Sequence, residues 1–197
     1  IYRARPGLRV ASVTATGYGE DIVKSAFGVD FGVVETVAHF TAAKHFMPDV
    51  DFVIDIGGQD AKVIALSPSG KMVNFVMNDK CAAGTGRFLE LMARTLELNL
   101  DEMARVGLHW EQELTISSMC TVFADSEVVS LVAQNKALPD IVHGLNQSVA
   151  AKTAALASRA GAKGPYMMTG GVSKNKGVVD AIERRLGVKL CISDAAQ

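Results

Sequence analysis

No apolar run in this sequence comes near the roughly 20 residues that crossing a bilayer requires, and its opening, Ile1 to Arg9, lacks the apolar centre of a secretory signal peptide. A membrane partner is therefore not expected, and a cytoplasmic location is. Neither sign of charge is in excess. Twenty Lys and Arg against 21 Asp and Glu leave a formal charge of −1, spread along the chain, which gives no electrostatic grip on nucleic acid or anionic lipid. Cysteine is scarce, with Cys81, Cys120 and Cys191 the only three. In a reducing compartment these stay thiols, so metal binding or plain burial is expected over a disulfide. Three is also too few for a closed four-thiolate site within one chain. Two common phosphate-binding patterns are missing as well: there is no GxxxxGK[ST] loop, and Gly84-Thr85-Gly86 is too short for a dinucleotide fingerprint. No internal repeat, low-complexity stretch or flexible linker interrupts the chain.

What remains is a chain of 197 residues, 49% of them hydrophobic, enough for one substantial core or two small lobes sharing a cleft. A strand is expected over Leu8 to Ala15, then the turn-rich Thr16-Gly17-Tyr18-Gly19, then a helix from Glu35 to Phe46 ending before Pro48. Three strands follow, Phe52 to Asp55, Ala61 to Leu66 and Met72 to Met77, the last two joined at Pro68-Ser69-Gly70. Helical periodicity then takes over at Thr85 to Leu96, with Phe88, Leu89, Met92 and Leu96 on one side, and again at Leu100 to Val106. Thr115 to Cys120 reads as extended, and Ala124 to Gln134 as a helix. Pro139 opens a long helix whose Ile141, Leu145, Val149 and Leu156 recur at near-helical steps until Gly161 ends it. Tyr166 to Thr169 is a strand, Asn175 to Leu186 a helix, and Val188 to Ile192 a last strand. The expected class is α/β.

Two strand-Gly-Gly units carry the first functional signal. In Asp55-Ile56-Gly57-Gly58-Gln59-Asp60-Ala61-Lys62, adjacent glycines at a strand turn let the backbone approach a ligand and aim N–H groups at phosphates. Asp55 is placed to hold a magnesium ion through water. Glycines at such a turn equally serve just to tighten a hairpin. The second unit, Thr169-Gly170-Gly171-Val172 before a helix, favours the ligand reading, since a helix start there meets a nucleotide from the other side. The three-strand start from Asp55 to Met77, followed by helices, resembles a lobe of the actin, sugar-kinase and heat-shock-protein ATPase (RNase H-like) superfamily, whose nucleotide lies between two lobes.

The second signal is cysteine. Cys81 sits in Asn78-Asp79-Lys80-Cys81-Ala82-Ala83-Gly84-Thr85-Gly86-Arg87-Phe88 and Cys120 in Cys120-Thr121-Val122-Phe123-Ala124-Asp125-Ser126-Glu127, each ahead of an expected helix. The partial positive charge of a helix N-terminus favours thiolate and suits an anionic cluster. A two-fold dimer giving two thiolates per chain would complete a four-thiolate site. Taken singly, a cysteine near a helix start is commonly just a small buried residue, and Cys191, between Leu190 and Ile192 in the last strand, is read that way.

Those four segments together resemble the activators of 2-hydroxyacyl-CoA dehydratases, in the BadF/BadG/BcrA/BcrD ATPase family, from about Thr16 to the C-terminus. The resemblance implies ATP or ADP with phosphates near Gly57, Gly58 and Gln59, adenosine near Gly170, Gly171 and Val172, and Asp55 and Gln59 as the catalytic pair, with Mg2+ at Asp55. It also implies a homodimer sharing one 4Fe-4S cluster on Cys81 and Cys120. Such a dimer takes a low-potential electron from a ferredoxin or flavodoxin and passes it, driven by ATP, to a dehydratase. A component of an aromatic (benzoyl-type) acyl-CoA reductase shares these motifs, and a kinase or chaperone-like ATPase of the same fold would carry the cysteines as structural residues. Zinc would fill the same four thiolates after aerobic handling. In this frame residues 1–50 are the remainder of a first lobe and 51–197 a second lobe. Nothing before Thr16 resembles the family's Asp-x-Gly-Ser type phosphate loop, and the chain stops where the family continues with a Gly-Ala-rich helix. The fold is thus expected to be truncated at both ends, with weak ATP hydrolysis.

Overall fold

Adjacent parallel strands whose carboxyl ends stop side by side organise the functional half of this protein. The computed structural model describes residues 5–78, 83–116 and 120–194, in two units that divide between Ala42 and Ala43. The first unit pairs β1 (Thr14–Thr16) in parallel with β2 (Phe31–Val33), joined by α1 (Glu20–Phe27). Of the strand expected over Leu8 to Ala15 only Thr14 and Ala15 belong to β1, which runs on to Thr16, expected in the turn, because its pairing with β2 is Thr14 to Phe31, Ala15 to Gly32 and Thr16 to Val33. Sequence reading missed α1 and β2. The signals were there: α1 has Glu20 and Asp21 in its first turn, where the dipole favours them, and ends on Gly28 in the left-handed conformation. Helix α2 (Glu35–Phe46) has the expected bounds.

In the second unit, β3 (Phe52–Ile56), β4 (Ala61–Leu66) and β5 (Met72–Met77) form an antiparallel meander. β6 (Tyr166–Thr169) joins β3 in parallel and β7 (Leu190–Cys191) extends from β6, for an order β5-β4-β3-β6-β7. Ile54, Ile56, Ala61 and Val63 from the sheet meet Leu145, Val149 and Leu156 of α6 (Leu138–Ala160) in one core. Burying each of the Ile, Val and Leu side chains contributes about 1.5–3 kcal/mol. The other helices are α3 (Gly86–Thr95), α4 (Leu100–Val106), α5 (Thr121–Ala133) and α7 (Lys176–Leu186). α4 starts with a reciprocal capping box between Asn99 and Glu102. α5 begins three residues before the expected Ala124, because its buried stripe, Ala124 and Val128, holds the first turn helical despite the β-branched Thr121 and Val122.

Helix α6 is buried on several sides, and its polar residues anchor the loop that follows α4. Asp140 accepts from the Glu111 and Gln112 N–H groups at 2.8 and 3.0 Å, bonds that hold its carboxyl below the ordinary carboxylate range. His143 stacks on Trp110 with ring centroids 4.0 Å apart. Burial pushes its imidazole below the ordinary 6.5, against the upward pull of Glu113, Asp180 and Asp140 and with the downward push of Arg184. A depressed folded-state value means the unfolded chain takes up the proton first. The contribution is complete above about 6.5 and is lost as pH falls toward the folded value. Thermal unfolding at pH 7.5 and 5.5 should show the parent losing more stability across that interval than His143→Phe, which keeps the stack; equal losses would contradict a buried neutral imidazole.

Candidate nucleotide and metal site

The two Gly-Gly units lie 114 residues apart in sequence and become neighbours because β3 and β6 run parallel, with Asp55 opposite Thr169. Ligands in α/β sheets gather outside such carboxyl ends. Thr169 Oγ1 donates to Asp55 Oδ1 at 3.0 Å, and Lys62 Nζ lies 3.6 Å from Asp55 Oδ2 and 3.4 Å from Asp60 Oδ2. Asp55 and Lys62 are both buried, and the pairing offsets the desolvation of each charge. The hairpin closes through Gly57 N–H to the Asp60 carbonyl at 2.9 Å, with Gln59 at its exposed tip.

Gly170 has φ 83° and ψ 164°, a conformation open essentially to glycine alone. A Cβ there would lie 2.4 Å from the Ile56 carbonyl oxygen and 2.8 Å from Asp55 Oδ1. The two loops can approach this closely only with no side chain between them. Beyond Gly170 the chain takes a short 3-10 turn, Gly171–Lys174, ahead of the helix expected from Asn175, and Ser173 Oγ donates to the Gly170 carbonyl at 2.7 Å. Asn175 then caps α7 by accepting from Val178 N–H.

These loops open onto a cavity of about 290 Å3 that Gly57, Gly58, Gly171 and Val172 line together with Gly86 and Leu89 of α3. Its far wall is α4, through Leu100, Asp101 and Ala104, with Glu90, Lys174 and Asn175 at the sides. Sequence reading missed the α3 and α4 residues, for which no local motif exists; Gly86 alone was visible as the second glycine of Gly84-Thr85-Gly86. The cavity offers an apolar wall, backbone donors and a few polar side chains, the composition of a small-molecule site.

Cys120 is the residue before α5, partly exposed, with extended backbone. Beside it Val122 and Phe123 are exposed apolar residues, 68% and 66% accessible. α3 and α5, the helices that follow the two cysteine motifs, are joined by Thr95 Oγ1 donating to Asp125 Oδ1 at 2.6 Å. Cys81 lies outside the described residues. Cys191 departs from expectation: it is exposed. β7 is the outer strand of the sheet, and alternation turns Leu190 toward the core and Cys191 away from it.

A model of the BadF/BadG/BcrA/BcrD ATPase family matches residues 4–195. The chain belongs to that family. It is 45% identical over 188 residues, covering 95% of its own length and 71% of the relative's, to the (R)-2-hydroxyglutaryl-CoA dehydratase activating ATPase of Acidaminococcus fermentans, and superposes on the crystal structure of that dehydratase's component A with a TM-score of 0.91. The 2-hydroxyisocaproyl-CoA dehydratase activator of Clostridioides difficile is 40% identical over 95% of this chain and 70% of its own. Its structure with bound ADPNP has a TM-score of 0.91, covering all of this chain and 73% of that one. A subunit of the benzoyl-CoA reductase of Thauera aromatica is further away, 30% identical over 88% of this chain and 61% of its own. A xylulose kinase from Bifidobacterium adolescentis, 14% identical with a TM-score of 0.53 over 84% of this chain and 37% of its own, shares the fold. The fold expected from the three-strand hairpin unit is thus the one found. Among the described residues no helix is long and apolar enough to cross a membrane.

The residues of this family member suit the groups it implies. A nucleotide fits a cavity bounded by two glycine loops pressed together at Gly170. Magnesium fits through water at Asp55, whose two carboxylate oxygens also face Thr169 and Lys62. A thiolate ligand suits Cys120, whose place before α5 exposes it to the positive end of a helix of 13 residues.

Proposed function

We propose that this chain is the ATP-driven activator of a 2-hydroxyacyl-CoA dehydratase. The observation that carries the reading is the joint presence, in one unit, of the glycine-lined cavity and of a cysteine-headed helix tied to α3, in a chain 40–45% identical to two named activators. Gly58 and Gln59 bind phosphates, Val172, Leu100 and Ala104 hold the adenosine, Asp55 orients Mg2+ through water, and Gln59 stands beside the terminal phosphate. Cys81 and Cys120 of each of two identical chains hold one 4Fe-4S cluster, which when bound supplies a one-electron donor of low potential. Val122 and Phe123 on α5 fit the adjoining chain–chain contact, where their apolar surface leaves water. A ferredoxin or flavodoxin recharges the dimer, and the dehydratase receives the electron.

Greater distance from the benzoyl-CoA reductase component favours a separable activator over a member of a permanent complex. Anaerobic reconstitution with iron and sulfide, followed by metal analysis and a visible spectrum, tests the reading; a chain that takes up zinc alone, or no metal, would sink it. Within that experiment Cys191→Ala should retain the parent's iron, since Cys191 lies exposed on an edge strand. Loss of iron in this variant alone would reassign the ligands.

A further inference from the structure

The first turn of α3 docks on the back of the Gly57-Gly58 loop. Gly86 N–H donates to the Gly57 carbonyl at 2.9 Å, and Arg87 N–H to the Gly58 carbonyl at 2.8 Å. These two donors belong to the first turn of a helix, where N–H groups have no carbonyl of their own helix to reach. Their use here has a geometric consequence. The peptide units after Gly57 and Gly58 are trans, and in a planar trans unit the C=O and N–H point in opposite directions. With both carbonyls held toward α3, the N–H groups of Gly58 and Gln59 are turned to the opposite face of the loop. Two consecutive donors on one side make an anion-binding concavity.

Gly86 is what permits the approach. A Cβ on it would lie 3.2 Å from the Gly57 carbonyl oxygen, 3.2 Å from Gly58 Cα and 3.5 Å from Val172 Cγ2. The first two contacts are with backbone, which cannot swing aside as a side-chain tip would. The position thus touches both glycine loops of the cavity at once, and Thr85 before it is fully buried.

We propose that Gly86 and the Arg87 N–H are positioning elements of the nucleotide site: by fixing the carbonyls of Gly57 and Gly58 they aim the Gly58 and Gln59 N–H groups at the nucleotide's phosphates. The inference rests on the nucleotide reading above and deepens it. It also makes α3 and the phosphate loop one rigid piece, so that whatever the phosphates do to the loop is passed to the helix behind the Cys81 motif. A docking role alone would require the same hydrogen bonds but would not single out phosphate, and that difference is measurable.

The experiment is calorimetric titration of the whole chain, in the presence of magnesium, with ADP and separately with adenosine. Gly86→Ala should weaken ADP about tenfold, the size of one or two mis-set hydrogen bonds to a charged group, while adenosine affinity changes less than about twofold. Arg87→Pro removes the other docking N–H within the first turn, where no bond of the helix itself is lost, and sets its ring against the Gly58 carbonyl, so it should show the same selective loss. Circular dichroism of both variants establishes that they are folded, and either one suffices for the test. Equal weakening of ADP and adenosine, or no weakening of either, overturns the inference while leaving the nucleotide reading intact. A parent chain that binds no ADP overturns the nucleotide reading itself, and this inference with it.

Discussion

Cys81→Ala and Cys120→Ala should each abolish the iron-sulfur cluster completely. The reason is symmetry: in a two-fold dimer one substitution in the gene removes two of the four proposed thiolates at the same site. A cluster held within one chain would lose a single ligand, and a three-thiolate remnant could survive. The parent should reconstitute to about two irons per chain, the ratio of one four-iron cluster per dimer. The folding cost should be small. Cys120 is only partly buried and its Sγ makes no capping hydrogen bond to α5, so its replacement costs on the order of 1 kcal/mol or less. For Cys120→Ala, ADP affinity should stay close to that of the parent, because Cys120 is not among the described residues that line the cavity. Iron and acid-labile sulfide per chain, with the mass of the assembly in solution, decide the matter. Four irons per chain, or a cluster kept by a monomer, would overturn the bridging arrangement.

Gly170→Ala should be the most damaging single methyl group that can be added to the nucleotide site. The new Cβ would meet the Ile56 carbonyl oxygen at 2.4 Å, its carbon at 2.6 Å and Asp55 Oδ1 at 2.8 Å, on a backbone at φ 83°. Two of these atoms are backbone of β3 at Ile56, which pairs with Ala61 of β4, and the third is the side-chain oxygen that accepts from Thr169, so making room disturbs the sheet or breaks that hydrogen bond. Backbone strain of about 1–3 kcal/mol adds to the overlap, and a total loss above about 3 kcal/mol is expected. Its neighbour supplies the contrast. Gly171→Ala meets nothing within 4 Å and has no left-handed backbone, so its stability should change by less than about 0.5 kcal/mol, although the residue lines the cavity. Chemical denaturation of the two variants side by side checks this. Comparable stabilities would mean that the loops do not press together at Gly170.

Much of the fold was legible because its signals are local. The spans of α2, β4, β5, α4 and β6 follow from periodicity and the residues that punctuate it, and α6 keeps the expected apolar series Ile141, Leu145, Val149 and Leu156. Errors cluster where partners are distant. β1 is as long as β2 allows, and β2 itself is three residues with Gly32 at its centre, too short for alternation to register. Cys191 looked interior from its apolar neighbours Leu190 and Ile192, yet alternation in an outer strand places it on the exposed side.

By itself the sequence determined that two strand-Gly-Gly turns exist and that a helix follows each of two cysteine motifs, since glycine, thiol and helix start are properties of a few consecutive residues. Only the tertiary structure decided that the turns face one another. That depends on β3 and β6 lying parallel across 114 residues, on α4 supplying Leu100, Asp101 and Ala104 as the opposite wall, and on α3 giving its first two N–H groups to the loop carbonyls. Backbone hydrogen bonds and backbone close approach carry no side-chain signature. Every non-proline residue could supply them, and it is the fold that selects which ones do.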